Sequence, residues 1–140
     1  MDLKSVEMKM ITLEHIALWA KDLETLRLFY ATYFGAKANA KYVNEMKQFQ
    51  SYFLTFPSGA RLELMQRPDI TPLTRENPAQ EFVGYAHLAM SVGSMEAVDE
   101  LTARLVANGY QCLDGPRRTG DGYYESVILD PEENRLEITV

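Results

Sequence analysis

Hydrophobic and polar positions run along this chain in two matching series. In 11–20, Leu13, His15, Ala17 and Trp19 fall on one side of an extended strand, and Ile16 and Leu18 on the other, because successive strand side chains point to opposite faces. Beyond Asp22, the residues Leu23, Leu26, Tyr30, Tyr33 and Phe34 recur at helical spacing until Gly35. That pattern predicts a helix capped by the Asp22 carboxylate and ended by a glycine. Residues 37–43 are weakly strand-like, 48–56 more strongly so, and 60–66 resumes as a strand after a turn at Pro57-Ser58-Gly59. The second series has a strand over 84–92, Ser94 as N-cap, and a helical stripe of Met95, Val98, Leu101, Leu105 and Val106 closed by Asn108-Gly109. A short strand over 110–113, a stronger one over 122–129, a turn at Pro131-Glu132-Glu133-Asn134 and a last strand over 135–140 follow. Each series predicts βαβββ.

The two series also share residues. His15-Ile16-Ala17-Leu18 returns 72 positions later as His87-Leu88-Ala89-Met90, and Arg61-Leu62-Glu63-Leu64 returns 74 positions later as Arg135-Leu136-Glu137-Ile138. Pro57 and Pro131 keep the same 74-residue offset. A period this long, met twice, marks a duplicated module rather than a solenoid. Between the copies, 67–82 holds Pro68, Pro72 and Pro78 among polar residues and reads as a linker. The expected organisation is a tail over 1–9, a first module over 10–66, the linker, and a second module over 83–140.

Strand parity then orients the duplicated groups. Arg61, Glu63 and Met65 oppose Leu62 and Leu64; Tyr85, His87, Ala89 and Ser91 oppose Ala86, Leu88, Met90 and Val92; Arg135, Glu137 and Thr139 oppose Leu136, Ile138 and Val140. In all four strands the wholly apolar face lacks the His or Glu, and the amphipathic helices must cover it. The expected fold class is therefore α+β: two tandem βαβββ modules forming a curved, eight-stranded sheet cup with the helices on its outer face.

Composition narrows the function. A net charge of −6 disfavours a nucleic-acid partner, since phosphate neutralisation needs a basic surface. Cys112 is the only cysteine, so an intrachain disulfide and a thiolate metal cluster are both excluded. Cys112 itself reads as packing, because nothing nearby would stabilise a thiolate. Neither a secretory signal nor a bilayer-spanning apolar run is present in the sequence, and the expectation is a soluble, cytoplasmic protein with no membrane partner.

The chain's two histidines fall at equivalent repeat positions. A lone strand Glu more often pairs across the sheet, here with Arg61 or Arg135. The joint occurrence of His15, Glu63, His87 and Glu137 on one face favours instead a site for one divalent cation, Zn, Ni or Co, with Mn or Fe also compatible. Around it, Trp19, Arg67, Arg118 and Tyr124 are expected to bind substrate. Arg117 is the more solvated member of its pair, and Tyr123 and Tyr124 are expected on opposite faces. Two modules with open sheet edges favour a homodimer.

With Glu14-His15-Ile16-Ala17, the Arg-Leu-Glu segments, and the run from Gly115 to Gly122 leading to Asp130-Pro131, the chain resembles the vicinal oxygen chelate superfamily from about residue 10 to 140. That superfamily includes glyoxalase I, methylmalonyl-CoA epimerases, fosfomycin-resistance enzymes, extradiol dioxygenases and bleomycin-binding proteins. The order His, Glu, His, Glu is similar to that of glyoxalase I, a lactoylglutathione lyase. By that resemblance, His15, Glu63, His87 and Glu137 are metal ligands, and Glu137, with Glu63 as alternate, is the base of an isomerase or lyase working through an enediolate. The implied substrate is a small anionic or thiol-derived molecule. The resemblance departs from glyoxalase I at Trp19 and Arg67, which stand where that family has an Arg and an Asn holding glutathione; an indole cannot clamp a carboxylate. Epimerase-like, dioxygenase-like and non-catalytic bleomycin-binding readings stay open at this level.

Overall fold

The computed structural model describes residues 10–140, so the expected tail over 1–9 lies outside the described residues. The chain divides into two units between Ile70 and Thr71. The first contains β1 (His15–Trp19), α1 (Leu23–Phe34), β2 (Lys37–Ala38), β3 (Tyr42–Asn44), β4 (Phe49–Thr55) and β5 (Arg61–Gln66). The second contains β6 (Leu88–Ser91), α2 (Met95–Ala107), β7 (Cys112–Arg118), β8 (Tyr124–Leu129) and β9 (Arg135–Thr139). The architecture is α+β, with two helices and nine strands in two sheets among the described residues. The ninth strand arises because the segment read as one weak strand over 37–43 forms two, β2 and β3, that pair separately with β4.

In the first unit the sheet order is β1-β5-β4-β2, with β3 also on β4; β1 runs parallel to β5, and β4 antiparallel to it. Asp22 caps α1 by accepting from the Thr25 N–H at 3.2 Å, and Gln66 Oε1 of β5 accepts from Leu23 N–H at 2.7 Å. Gly35 ends the helix at φ 67°, a left-handed conformation that glycine adopts without a Cβ penalty. α1 buries Leu23, Leu26, Phe29 and Tyr30 above a sheet face whose Leu54, Leu62 and Leu64 are also buried. Each such side chain contributes about 1.5–3 kcal/mol when taken out of water.

The second unit repeats the plan in the order β6-β9-β8-β7. Ser94 Oγ caps α2 at Ala97 N–H, 3.1 Å away. Val98, Thr102 and Leu105 of α2 are buried, as are Ser126, Ile128, Leu136 and Ile138 of the sheet. The two buried hydroxyls satisfy each other, with Thr102 Oγ1 at 2.7 Å from Ser126 Oγ. The covering of the apolar faces is uneven: Ile16, Leu18, Leu88 and Met90 are only half-buried, because β1 and β6 are edge strands of their sheets. No helix of the described residues is long and apolar enough to cross a membrane.

Each helix is pinned by a tyrosine from its sheet. Tyr52 of β4 donates to Glu24 of α1 at 2.6 Å, and Tyr124 of β8 donates to Asp99 of α2 at 2.5 Å. Lys41 and Arg27 also reach Glu24, both at 2.9 Å. These three donors, Tyr52 foremost, bring the Glu24 carboxyl from its ordinary 4.5 down to about 2. A depressed carboxyl stabilises the fold above its unfolded-state pKa and loses that contribution as pH falls through its folded value. Glu24 is half-exposed, so solvent screening keeps the effect to about 1 kcal/mol or less. Denaturant titrations from pH 7 to 2 are expected to show Glu24→Gln less stable than wild type at neutral pH. The gap should close as pH falls from about 4.5 to 2, and a gap constant with pH would contradict this account.

β7 extends through the glycine-rich stretch to Arg118, well beyond the expected 113. Its register shifts twice against β8, between Cys112 and Asp114 and between Asp114 and Arg117. Gly115 sits in this irregularity at φ +80°, and a Cβ there would lie 2.5 Å from the Glu125 carbonyl oxygen. Gly115→Ala is expected to cost about 1–3 kcal/mol in chemical denaturation, whereas an unchanged midpoint would show that the bulge yields without cost.

Candidate functional site

The register of the parallel pairs sets each His–Glu couple. Ala17 stands opposite Glu63 and Ala89 opposite Glu137. In both units the small alanine leaves room beside the carboxylate, and the histidine lies two residues earlier on the same face. His15 Nε2 is 3.8 Å from Glu63 Oε1, and His87 Nε2 is 2.8 Å from Glu137 Oε1. The carboxylates are well covered, at 15% and 16% side-chain exposure, while both imidazoles stay partly open.

Neither carboxylate is taken by the arginine two residues before it in sequence. Arg61 pairs with Glu14 through Nε and its terminal nitrogen, and Arg135 turns to Glu81 at 3.7 Å and the Ala79 carbonyl at 3.3 Å. Glu14 in turn meets His15 Nδ1 at 3.2 Å. Arg61 holds the Glu14 carboxyl below the usual carboxylate range, so Glu14 is an acceptor and Nδ1 carries the proton that it accepts. The imidazole is further fixed by Phe53, edge-on at 5.2 Å, and Arg61 lies over the Phe53 ring at 4.2 Å. In the neutral ring this tautomer leaves Nε2 as a lone pair facing the Glu63 carboxylate. Two acceptors that face each other need a proton or a cation between them.

The second unit has no counterpart of Glu14, since Ala86 stands at that position. Its added acid is Glu125 of β8, on the same face as Glu137 because Glu125 opposes Thr139 and Val127 opposes Glu137. Burial pushes the Glu125 carboxyl up, and the charge of Glu137 and a hydrogen bond to it push it further. Glu14 and Glu125 are the functional candidates that the repeat pattern leaves out. Glu125 is legible in parity, since it alternates with the core residues Ser126 and Ile128; Glu14 falls within the strand read over 11–20, where parity sets it on the face opposite His15 and gives no sign of its contact with the ring.

Trp19 and Arg67 come together: the guanidinium lies 5.1 Å over the indole, with its Nε bound to Asp69 at 2.7 Å. Arg118 and Tyr124, read from the sequence as substrate-binding, are held by contacts of their own. They oppose each other in register and both turn toward the helix side: Tyr124 bonds Asp99, while Arg118 bonds the Gly122 carbonyl at 3.2 Å and reaches Met95 of α2 at 3.6 Å. The reason is parity, because Tyr124 shares its face with buried Ser126 and Ile128. Arg117, expected to be the solvated one, is exposed; it stands opposite Glu125, with Asp114 accepting from it at 3.0 Å. Tyr123 precedes β8 and is exposed, and Cys112 is a half-buried free thiol donating to backbone carbonyls.

Ligand atoms on a shared first-row ion stand about 2.1 Å from it, hence about 3–3.5 Å from each other. The two His–Glu separations bracket that span, and imidazole with carboxylate is a suitable donor set. Among the described residues no group of three or more His, Cys, Asp or Glu side chains is placed to hold a metal; each unit holds one His–Glu pair.

The fold and the sequence around these pairs are similar to those of known proteins. The chain is 28% identical over 132 residues to the uncharacterized protein YqjT of Bacillus subtilis (strain 168), covering 90% of this chain and 96% of that one. It shares its fold with the trypanothione-dependent glyoxalase I of Leishmania major (TM-score 0.73, 20% identity, 92% of this chain and 86% of that one). It likewise resembles the lactoylglutathione lyase of Agrobacterium tumefaciens (TM-score 0.64, 24% identity, 90% of each chain). The family model matches residues 12–138, spanning both βαβββ units and all four His and Glu positions. The chain therefore belongs to the Glyoxalase/Bleomycin resistance protein/Dioxygenase superfamily.

Proposed function

We propose that the protein is a metal-dependent isomerase or lyase of glyoxalase I type, with His15, Glu63, His87 and Glu137 as the ligands of one divalent ion per site. The observation that carries this reading is that His15 Nε2 stands 3.8 Å from the Glu63 carboxylate while Glu14 meets the opposite ring nitrogen at 3.2 Å. The His15–Glu63 couple stands beyond hydrogen-bond distance at 3.8 Å and the His87–Glu137 couple within it at 2.8 Å, and together they bracket the separation of about 3–3.5 Å between donors on one ion. The bound ion would act as a Lewis acid toward a substrate carbonyl or hydroxyl.

The chain's own residues supply the proton chemistry. Glu137 is the proposed base, taking a proton from the carbon next to the substrate carbonyl and returning it to the neighbouring carbon, and Glu63 is the alternate. Partial burial of both carboxylates excludes water and favours uptake of a proton from carbon over loss to bulk. Glu14 is a positioning residue that fixes the His15 tautomer. Trp19 and Arg67 face each other where a glutathione clamp would otherwise stand, which favours another thiol or a thiol-free α-hydroxycarbonyl compound. β1 and β6 are edge strands, and an unpaired edge is a pairing surface, which supports a homodimer.

Metal analysis of untagged protein purified without chelators, with reconstitution by Zn, Ni and Co, tests this reading. Stoichiometric uptake is expected, lost in His15→Ala and in Glu63→Gln. Glu14→Gln is expected to weaken metal affinity about 10–100-fold in chelator competition while leaving thermal unfolding nearly unchanged. Hemithioacetals of several thiols should then show isomerase turnover that Glu137→Gln removes. Failure of all three metals to bind would overturn the proposal, and oxygen consumption requiring ferrous iron would replace it with a dioxygenase. Metal content and ligand binding unchanged in Glu63→Gln and in Glu137→Gln would point to a non-catalytic binding protein.

A further inference from the structure

Three aromatic rings in the first unit lie on the His15–Glu63 face but take no part in the His–Glu couple. Trp19 closes β1, and Phe49 and Tyr42 come from β4 and β3. Phe49 is edge-on to the indole at 6.2 Å and 89°, and Tyr42 meets Phe49 at 6.1 Å and 61°. Trp19 keeps 39% and Tyr42 54% of its surface exposed, although the core of this unit is well filled. Side-by-side rings left in water are costly unless something covers them.

The register fixes where this surface lies relative to the chemistry. Ala17 opposes Glu63, and Trp19 opposes Met65, two residues further along on the same face. Two strand residues span about 7 Å. A ligand whose carbonyl or hydroxyl lies at Glu63 therefore reaches the indole with a side group two or three bonds away. The groups that meet it there are three rings and the Arg67 guanidinium, already over the indole at 5.1 Å. Its charge is partly balanced by Asp69. A guanidinium and aromatic edges reward a π face, but they give no comparable return to an alkyl group of the same size.

We propose that Trp19, Phe49, Tyr42 and Arg67 form a specificity subsite for an aromatic side group, so that the substrate is an aryl-substituted α-hydroxycarbonyl compound. The assignment rests on the reading of the His15–Glu63 face as the reaction site. It differs from that reading in what it requires, namely a contrast between ligands with the same chelating end.

Trp19 is the only tryptophan, so its fluorescence reports binding at the subsite directly. Lactate, 2-hydroxyisocaproate and 3-phenyllactate share one α-hydroxy acid end and differ only in the side group. Titrations of zinc-loaded and of chelator-treated protein are expected to show 3-phenyllactate binding about tenfold more tightly than lactate and clearly more tightly than 2-hydroxyisocaproate, with saturable change in Trp19 emission. By calorimetry, Tyr42→Ala and Arg67→Met should each reduce the preference for the ring, and Trp19→Leu should abolish it. Tyr42 is exposed, so Tyr42→Ala keeps the test valid if Trp19→Leu does not fold. Equal affinity for 3-phenyllactate and 2-hydroxyisocaproate, or a preference untouched by Tyr42→Ala and Arg67→Met, overturns the subsite. The ring preference is a ratio from which the chelating end cancels. Its loss with metal uptake intact refutes the subsite alone, and its survival without metal uptake refutes the metal reading alone.

Discussion

Burial of two apolar side chains on either side of each strand glutamate orients the rest of the molecule. Leu62 and Leu64 flank Glu63, and Leu136 and Ile138 flank Glu137; all four apolar residues are essentially inaccessible to water. With a side-chain period of two, sliding either strand by one residue would expose both apolar groups and drive a carboxylate under the helix. The first loss is about 1.5–3 kcal/mol per side chain, and an unpaired buried carboxylate adds several more. The direction of the glutamates is thus a by-product of core packing. Once β5 and β9 are fixed, parallel pairing places Ala17 and Ala89 beside them, and the histidines follow.

On this common frame the two copies have diverged in what surrounds the couple. The first unit braces His15 with Glu14, Arg61 and Phe53, a chain of contacts that runs from a salt bridge through a cation–π stack to an imidazole edge. The second unit lacks that brace and sets a second carboxyl, Glu125, against Glu137. One half thus braces an imidazole with an acid, whereas the other sets two acids side by side. A duplicated backbone constrains which positions face the site but leaves their polar supports free to differ, since supports come from strand ends and neighbouring strands rather than from the repeated tripeptides. The tyrosine–carboxylate pins, Tyr52 to Glu24 and Tyr124 to Asp99, are by contrast retained in both copies, as expected of contacts that join helix to sheet.

What could be read from the chain follows the strength of each periodic signal. The helices, their caps and the strands next to the core are legible because burial enforces alternation over several residues. β1 begins only at His15, although Leu13 continues the alternation, because Leu13 and Ile11 are exposed and no partner strand holds them in register. The glycine-rich stretch reads as a loop, yet β7 runs through it to Arg118, since a bulge at Gly115 lets a strand keep pairing where composition argues against it. That longer strand is also why Arg117 and Arg118 take opposite faces. Glu14 was unreadable for a different reason, because its role depends on Arg61, 47 residues away in sequence.

Arginines dominate the polar surroundings of the first couple, but none acts there as a bare charge. Arg61 is spent on Glu14 and stacked on Phe53, and Arg67 is spent on Asp69 and stacked on Trp19. Stacking on an aromatic face uses the flat, weakly hydrated guanidinium in a way that lysine would not reproduce. The pairing with an acid holds down the positive potential that would otherwise repel a divalent cation close to His15. Two stacked, acid-balanced arginines are therefore compatible with metal binding on the same face, whereas two unpaired ones would oppose it. Arg67 is thereby part of an aromatic wall with Trp19, its charge balanced by Asp69 rather than left free for an anion.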